Sequence, residues 1–405
     1  MTIEQEIIAV VNAGSATLKF SLLGTEETAL RVQVERLGRA GGEEGPRAVI
    51  QDSQARRWFD GPVTAANHGE AVEWVFDWLE RERPGLRPLA VGHRVVHGGD
   101  DLVAPVLATE AVLKTIESLI PLAPLHQIHN LAPIRYIAQR FPQLPQVACF
   151  DTTFHASQSP IERLFALPRE YGRRGIRRYG FHGLSYEFIA TRLPAIDPRA
   201  AAGRTVVCHL GNGASLCAIR SGRSVATTMG FTALEGLPMG TRCGAIDPGV
   251  LLHLLDHEKM TVEALSDLLY KRSGLLGLSG ISADMRDLLA HPSAEAAQAV
   301  EYFCYRISRE IGSLAAALGG LDAIVFTGGI GEHAAPVRAR ICELSRWLGV
   351  AIDPLANDEG RVMLHATNSP VHVLAIPTHE ERMIATHVRE VLQANPGLGH
   401  GIDKP

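Results

Sequence analysis

Two arginines that stand among glycines could hold an anionic group. Arg94 follows a strand-like run and precedes the pair Gly98 and Gly99, and Arg242 lies in the glycine-rich segment 226–248. A guanidinium presents a planar fork of N–H donors that matches carboxylate and phosphate oxygens. Neighbouring glycines let the backbone approach a ligand closely. A lone arginine is more often a surface ion-pair partner, but the two together could bracket a phosphoryl group.

Carboxylates end two other apolar runs. Asp151 closes a strand-like run, and Glu380 and Glu381 follow another that ends near residue 378. Hard oxygen ligands of this kind suit Mg²⁺, which needs one or two carboxylates in addition to nucleotide phosphates. The alternative interpretations are helix N-capping by Asp151 or Thr152 and, for Glu380 and Glu381, a favourable charge in the first turn of a helix.

A strand-like run that ends in a small polar or glycine cluster occurs three times, at residues 12–15, 211–215 and 327–331. The first two are followed by a second strand-like run, which predicts hairpins whose turns expose backbone N–H groups. One such turn is usually structural, but three favour a cradle for phosphate oxygens. The recurrence also indicates two similar halves. His182 lies between glycines, where a structural role and a site role are equally open.

The elements that must position these residues follow from hydrophobic periodicity. It predicts strands over 91–96, 145–150, 322–326 and 371–376, a hairpin over 204–220, and short strands within 6–60. It predicts helices over 66–83, 109–119, 127–140, 247–256, 261–272, 294–318, 335–348 and 380–394, and one that begins near residue 185. Strands alternating with helices indicate α/β layers.

The chain length of 405 residues is too great for one compact core, so two domains are expected. The terminal helix could pack back on the first domain. We therefore expect one domain over 1–152 plus 378–405 and a second over 153–377.

Composition excludes several function classes. The net charge is −5 without a dense Lys/Arg block, which argues against nucleic acid or an anionic membrane as a partner. The chain lacks the P-loop, dinucleotide-binding and protein kinase motifs. None of the six cysteines forms a C-x-x-C pair, and no apolar stretch approaches transmembrane length. The sequence predicts a cytoplasmic protein.

Taken in order, these segments resemble the acetate kinases of the acetokinase family, within the acetate and sugar kinase, Hsp70 and actin superfamily. The similarity runs from Val10 to about Ala385. The matching stretches are residues 12–15, 92–99, 122–126, 150–152, 177–183, 209–215, 229–242, 284–287, 329–332 and 376–378.

The resemblance implies an α/β fold of two duplicated actin-like (ribonuclease H-like) domains flanking a nucleotide cleft, and a homodimer. It implies reversible, Mg²⁺-dependent transfer of the γ-phosphoryl group of ATP to acetate, giving acetyl phosphate and ADP; Mn²⁺ is a possible substitute for Mg²⁺.

By matching position, the resemblance also implies residue roles. The catalytic residues would be Arg94, Asp151, His182 and Arg242, and Mg²⁺ would be positioned by Asp151 with Asn12 and Glu380. The nucleotide would contact Lys19, His209, Gly211, Asn212, Gly213, Asp284, Met285, Arg286, Gly329, Ile330, Gly331 and His333. The methyl pocket would be lined by Val96, Leu125, Phe181 and Ala233.

The chain departs from the family pattern at seven positions: Ala16, Tyr186, Ala226, Ala233, Ala245, His333 and His379. Ala233 replaces a proline of the acyl pocket, which leaves a propionate or butyrate kinase as an alternative. A third possibility is a non-catalytic, ATP-gated scaffold of the actin or Hsp70 type, because fold alone does not fix function.

Overall fold

The computed structural model describes residues 7–25, 28–38, 45–124 and 126–398. The strands are β1 (Ile8–Ala13), β2 (Thr17–Leu23), β3 (Thr28–Glu35), β4 (Arg47–Gln51), β5 (Arg57–Pro62), β6 (Ala90–Val95), β7 (Val106–Leu107), β8 (Gln146–Phe150), β9 (Arg204–Leu210), β10 (Ala214–Arg220), β11 (Arg223–Thr227), β12 (Ala323–Thr327) and β13 (His372–Ala375).

The helices are α1 (His68–Glu82), α2 (Glu110–Ser118), α3 (Gln127–Arg140), α4 (Arg169–Arg173), α5 (Gly183–Ile196), α6 (Pro198–Ala202), α7 (Pro248–Asp256), α8 (Val262–Lys271), α9 (Gly274–Ser279), α10 (Met285–Ala290), α11 (Ala294–Leu318), α12 (Gly328–His333), α13 (Ala335–Leu344), α14 (Pro354–Asp358) and α15 (Glu380–Ala394). Short 3-10 helices cover Ile120–Leu122, Thr153–Ser157, Arg346–Leu348 and Pro396–Leu398. Among the described residues, no helix is long and apolar enough to cross a membrane.

The chain forms two compact units. One comprises Met1–Thr153 with His379–Pro405, and the other comprises Phe154–Thr378. The sheet of the first unit has the order β5-β4-β3-β2-β1-β6-β8-β7, and the sheet of the second has the order β11-β10-β9-β12-β13.

The two sheets share one topology. β1 pairs antiparallel with β2 and parallel with β6, and β9 pairs antiparallel with β10 and parallel with β12. In both units, therefore, the first strand of an antiparallel meander lies at the centre and continues into parallel strands reached through helices. The repeated halves that the sequence indicates are confirmed.

In the first unit, alternation along the meander buries one row of side chains against α1. Leu18, Phe20 and Leu22, at every second position of β2, lie in one buried core cluster. Val75 and Trp78 of α1 pack in the same core at helical spacing. Asn67 caps this helix by accepting a hydrogen bond from the Glu70 backbone N–H, which fixes where it begins.

In the second unit, the central strands are buried along nearly their whole length. Every residue of β12 is buried, as expected for a parallel strand covered on both faces. Ile189 and Leu193 of α5 pack with Val207 and Val325 in one cluster. Ser293 caps the 25-residue helix α11, which ends at Gly319 in the left-handed conformation.

The long helices and the strands predicted from the sequence are confirmed to within a few residues. The helix predicted over 335–348 is shorter, because α13 ends at Leu344 and a 3-10 turn follows. Hydrophobic periodicity did not predict the strands β7 and β11 or the helices of five or six residues, which are α4, α6, α9, α10, α12 and α14. Such segments are too short to show a hydrophobic period.

Helix α15 packs on the sheet of the first unit at Gly92. A Cβ atom on Gly92 would collide with Ile384 Cγ2 and would lie 2.8 Å from Val388 Cγ2. We expect Gly92→Ala to lower the free energy of unfolding by about 1–3 kcal/mol, because the packed helix must shift. Urea unfolding measures this. Gly85→Ala is the matched control, since nothing lies within 4 Å of a Cβ there. Equal stability of the two variants would contradict the packing argument.

Candidate active site

The first unit gathers three of the charged residues that the sequence singled out. β1, β6 and β8 are parallel, so their carboxyl ends lie at one edge of the sheet. Arg94 lies near the end of β6, and Asp151 directly follows β8. Glu380 is the first residue of α15, where its charge also suits the helix dipole.

Arg94 is held between two carboxylates. Its Nε donates to Asp151 Oδ1 at 3.0 Å and its Nη2 donates to Asp151 Oδ2 at 2.7 Å, which is a bidentate pair. Its Nη1 lies 3.7 Å from Glu380 Oε2. Burial alone would lower the pKa of the Arg94 guanidinium, but the charges of Asp151 and Glu380 raise it above its ordinary value. The Asp151 side chain is only 2% exposed, so this is a buried ion pair.

Side chains from neighbouring elements fix the chain around this pair. Asn130 Oδ1 accepts from the Val96 backbone N–H at 3.0 Å, and Asn130 Nδ2 donates to Ala13 O at 3.0 Å. Thr152 Oγ1 accepts from the Gly98 N–H at 3.1 Å. These bonds tie together the ends of β1, β6 and β8, where the charged groups lie.

The second unit gathers His182, Gly213 and Arg242. A Cβ atom on Gly213 would lie 3.0 Å from Arg242 Nη2 and 3.2 Å from His182 Nε2. Both side chains therefore converge on this glycine, where a larger residue would intrude. Arg242 Nη1 donates to the Ala233 carbonyl at 2.6 Å, which orients the guanidinium.

His182 precedes α5 with φ 57° and ψ 24°, a left-handed conformation that is uncommon outside glycine. Its ring stacks on that of His209, with centroids 4.5 Å apart. Its Nδ1 bonds to Ser215 Oγ at 2.8 Å. A strained backbone and a fixed ring at one residue are typical of functional sites.

The glycine turns of the second unit lie against one another. Gly328, with φ 78°, opens α12, and a Cβ atom there would lie 2.8 Å from Leu210 O. A Cβ atom on Gly211 would lie 3.9 Å from the Gly329 backbone nitrogen. The β9–β10 turn and the start of α12 thus present backbone groups together, as a phosphate cradle requires. Asn212 belongs to this turn, and its carbonyl accepts from the Gly240 N–H at 3.2 Å.

The other expected nucleotide contacts lie on two short helices and on β2. Asp284 caps α10, and Met285, the first residue of that helix, is buried. The Arg286 side chain donates a hydrogen bond to the Asp284 carboxylate, which lowers the pKa of Asp284 to about 2. Ile330, Gly331 and His333 lie on α12; Gly331 is buried and His333 is exposed. Lys19 of β2 pairs in register with Asn12 of β1.

The expected acyl-pocket residues are divided between the units. Val96 follows β6 in the first unit and is buried. Phe181 is buried in the second unit, where Ala233 holds Arg242. Leu125 lies outside the described residues.

Four polar residues that support these clusters had no role predicted from the sequence. Glu332 Oε1 accepts from the backbone N–H groups of Gly328 at 2.9 Å and Thr378 at 3.1 Å. Ser185 Oγ bonds to His209 Nδ1 at 2.8 Å. Ser215 and Glu332 stand inside the glycine motifs, which is a usable signal; nothing in the sequence marks Ser185 or Asn130.

His155 supports the backbone next to His182. Its Nε2 donates to the Phe181 carbonyl at 2.9 Å, so its Nδ1 accepts from Ser224 Oγ at 2.9 Å. Burial lowers the pKa of His155 to about 4, below the ordinary value of 6.5. Between these two pH values the unfolded chain binds a proton that the folded chain does not bind.

The stabilising contribution of neutral His155 is therefore complete above about pH 6.5 and is lost as the pH falls towards 4, at up to about 1.4 kcal/mol per pH unit. We expect His155→Gln to be less stable than the parent at pH 7 but to lose less stability between pH 6.5 and 5. Urea unfolding at a series of pH values measures this. His257→Gln, at an exposed histidine, should keep the parent slope. If the free energy of unfolding of His155→Gln changed with pH as steeply as that of the parent protein, the role given to His155 would be contradicted.

Comparison with known proteins identifies the family of this chain. The model of the acetokinase family matches residues 7–386. The chain belongs to the acetokinase family. It is 51% identical to the acetate kinase of Rhodopseudomonas palustris strain CGA009, over 95% of this chain and 98% of that one. It is 49% identical to the acetate kinase of Methylocella silvestris, over 95% and 98%.

Solved structures of the acetokinase family share the fold. The acetate kinase of Porphyromonas gingivalis superposes with a TM-score of 0.87 at 34% identity, covering 96% of this chain and 100% of that one. A propionate kinase from Francisella tularensis gives a TM-score of 0.89 at 34% identity, covering 94% and 98%. The resemblance inferred from the sequence is thus confirmed, as is the α/β fold with two similar units.

Proposed function

We propose that the protein is an acetate kinase, which reversibly transfers the γ-phosphoryl group of ATP to acetate to give acetyl phosphate and ADP. The observation that carries this proposal is the convergence of Arg242 Nη2 and His182 Nε2 on Gly213, at the glycine turn that faces α12. The acetate kinases that are about half identical to this chain over nearly its whole length support it.

The chemistry explains which residues are needed. A carboxylate is ionised at neutral pH and attacks without a general base. The protein must instead align two anions and neutralise the charge that spreads over the transferred group. Two arginines, a histidine N–H and backbone amides supply donors for those oxygens.

We assign the roles accordingly. Arg94 and Arg242 bind the acetate carboxylate and then the planar phosphoryl group, and His182 donates a hydrogen bond to that group. The turn formed by His209, Gly211, Asn212 and Gly213 binds the nucleotide phosphates together with Gly329, Ile330, Gly331 and Lys19. Asp284, Met285, Arg286 and His333 frame the adenosine. Val96, Leu125, Phe181 and Ala233 line the methyl pocket.

The residues of the first unit fit a magnesium ion. Among the described residues, no group of three or more His, Cys, Asp and Glu side chains could hold a metal alone. Mg²⁺ requires less than that, since one or two carboxylates and nucleotide phosphates suffice. Asp151 and Glu380 flank Arg94, so two carboxylates face one guanidinium. Asn12 lies near the end of β1, parallel to β6, and would add an amide oxygen. When bound, Mg²⁺ neutralises phosphate charge.

The test is formation of acetyl hydroxamate from acetate, ATP, Mg²⁺ and hydroxylamine by the purified protein. Product that depends on both acetate and ATP supports the proposal. No product from correctly folded protein would reject it and would favour the non-catalytic scaffold.

Ala233 favours a second candidate, a propionate kinase, because alanine stands where the family has a proline and its smaller side chain would leave room for one more methylene. One methylene in an apolar pocket changes kcat/KM by about 10–200-fold. We expect kcat/KM to be highest for acetate, to fall for propionate within that range, and to fall again for butyrate. Ala233→Pro should lower the values for propionate and butyrate more than the value for acetate. A maximum at propionate in the parent protein would favour the second candidate.

The proposal includes a homodimer that acts in the cytoplasm. All six cysteines lie within the described residues as free thiols, and five of them are buried, which suits a reducing compartment. Light scattering coupled to size-exclusion chromatography tests the dimer: a mass of twice 43.8 kDa is expected, and a mass of 43.8 kDa would overturn it.

A further inference from the structure

Tyr186, Ser215 and His182 form a buried chain of hydrogen bonds. Ser215 Oγ lies 2.8 Å from His182 Nδ1 and also bonds to the Tyr186 hydroxyl. Tyr186 and Ser215 are 0% exposed, and His182 is 8% exposed. The far side of the His182 ring carries Nε2, which would lie 3.2 Å from a Cβ atom placed on Gly213.

The direction of these bonds follows from the donors available. Within the described residues, Ser215 Oγ is the hydrogen-bond partner of the Tyr186 hydroxyl. Burial raises the pKa of Tyr186 well above its ordinary value, so the phenol keeps its proton. A buried phenol that does not donate is costly, so the Tyr186 hydroxyl donates to Ser215 Oγ. Ser215 then satisfies its own proton by donating to His182 Nδ1.

We propose that Tyr186 and Ser215 are positioning residues that hold His182 as the Nε2–H tautomer. Because Nδ1 accepts from Ser215, the one ring proton of neutral His182 must lie on Nε2. That is the nitrogen beside Arg242 Nη2 and Gly213. The imidazole is thus fixed as a hydrogen-bond donor toward the transferred phosphoryl group. Without the hydrogen bonds from Tyr186 to Ser215 and from Ser215 to His182, the ring could adopt the Nδ1–H tautomer and present the lone pair of Nε2 instead. This inference rests on the role proposed for His182.

The first test is Tyr186→Phe, which removes the donor and keeps the ring. Ser215 can then accept from an Nδ1–H, which permits the wrong tautomer. We expect kcat to fall about 5–10-fold, while KM for acetate and for ATP stays within about twofold, because His182 acts on the transition state rather than on bound substrate. Tyr305→Phe, at a half-exposed tyrosine of α11, is the control and should match the parent.

The second test is a double-mutant cycle. Ser215→Ala breaks the chain next to His182, so we expect a larger fall in kcat, about 10–100-fold. If Tyr186 acts only through Ser215, the double variant should be no slower than Ser215→Ala alone. Multiplicative losses would overturn the proposal. Thermal melts of all variants separate these effects from a general loss of folded protein.

The decisive measurement is the ¹⁵N NMR spectrum of the histidine side chains in unliganded protein, with His182→Gln for assignment. We expect an Nε2–H tautomer for His182 in the parent and a detectable Nδ1–H population in Tyr186→Phe. An Nδ1–H tautomer in the parent would overturn the proposal. Because no substrate is present, this result is independent of the hydroxamate assay. An active enzyme whose His182 is the Nδ1–H tautomer would refute only the role of Tyr186 and Ser215. A negative hydroxamate assay would refute the proposed function and would leave the tautomer of His182 undecided by that assay.

Discussion

Arg242→Ala is expected to lower kcat for acetyl phosphate formation by about 10³-fold or more, while the Kd for ATP changes by less than about threefold. The guanidinium lies with His182 Nε2 at Gly213 and is oriented by the Ala233 carbonyl. It is placed to stabilise charge on the phosphoryl group in transfer, and arginines in that role contribute about 10³–10⁵ in kcat. Steady-state kinetics and calorimetric titration with ATP measure the two quantities.

Two further variants sharpen this prediction. Arg242→Lys keeps the positive charge but loses the planar fork, so it should recover only a small part of the lost kcat. Arg309→Ala, at an exposed arginine of α11, should leave both kcat and ATP affinity unchanged. Equal losses of kcat and ATP affinity in Arg242→Ala would assign the arginine to nucleotide binding and contradict the role in transfer.

Asp151→Asn is expected to reduce both stability and activity. The substitution keeps the shape of the side chain but leaves the Arg94 guanidinium, which is 20% exposed, without its bidentate partner. Breaking a buried pair in this way costs about 3–5 kcal/mol. Here Glu380, 3.7 Å away, compensates in part, so we expect a loss of about 2–4 kcal/mol in the free energy of unfolding. Urea unfolding at pH 7 measures the loss.

The same substitution should lower kcat by at least about 10²-fold, because Arg94 loses the partner that orients it and the proposed magnesium site loses a carboxylate. Asp267→Asn is the control. It removes a carboxylate that pairs with Lys271 and Arg272 at the surface, where ion pairs contribute little. Full activity in Asp151→Asn at unchanged stability would refute both the buried pair and the metal role.

The larger elements were predictable because each one carries its own signal. The buried faces of α1 and α11 repeat at helical spacing, and capping residues mark where both begin. The glycine turns after β1 and β9 predicted two similar hairpins, and the shared strand order of the two sheets confirms the duplication. Short helices such as α10 and α12 were not predicted, because one or two helical turns are too short to show a hydrophobic period.

The sequence by itself determined the fold class, the family and the identity of the reactive residue types, since these depend on local patterns and ordered motifs. Only the tertiary structure decided the partners of each residue. Pairing between β6 and β8 brings Arg94 to Asp151, and the packing of α5 against β9 and β10 brings His182 to Ser215. Such contacts join residues tens of positions apart, so the direction of a hydrogen bond or the burial of an ion pair exists only after the chain has folded.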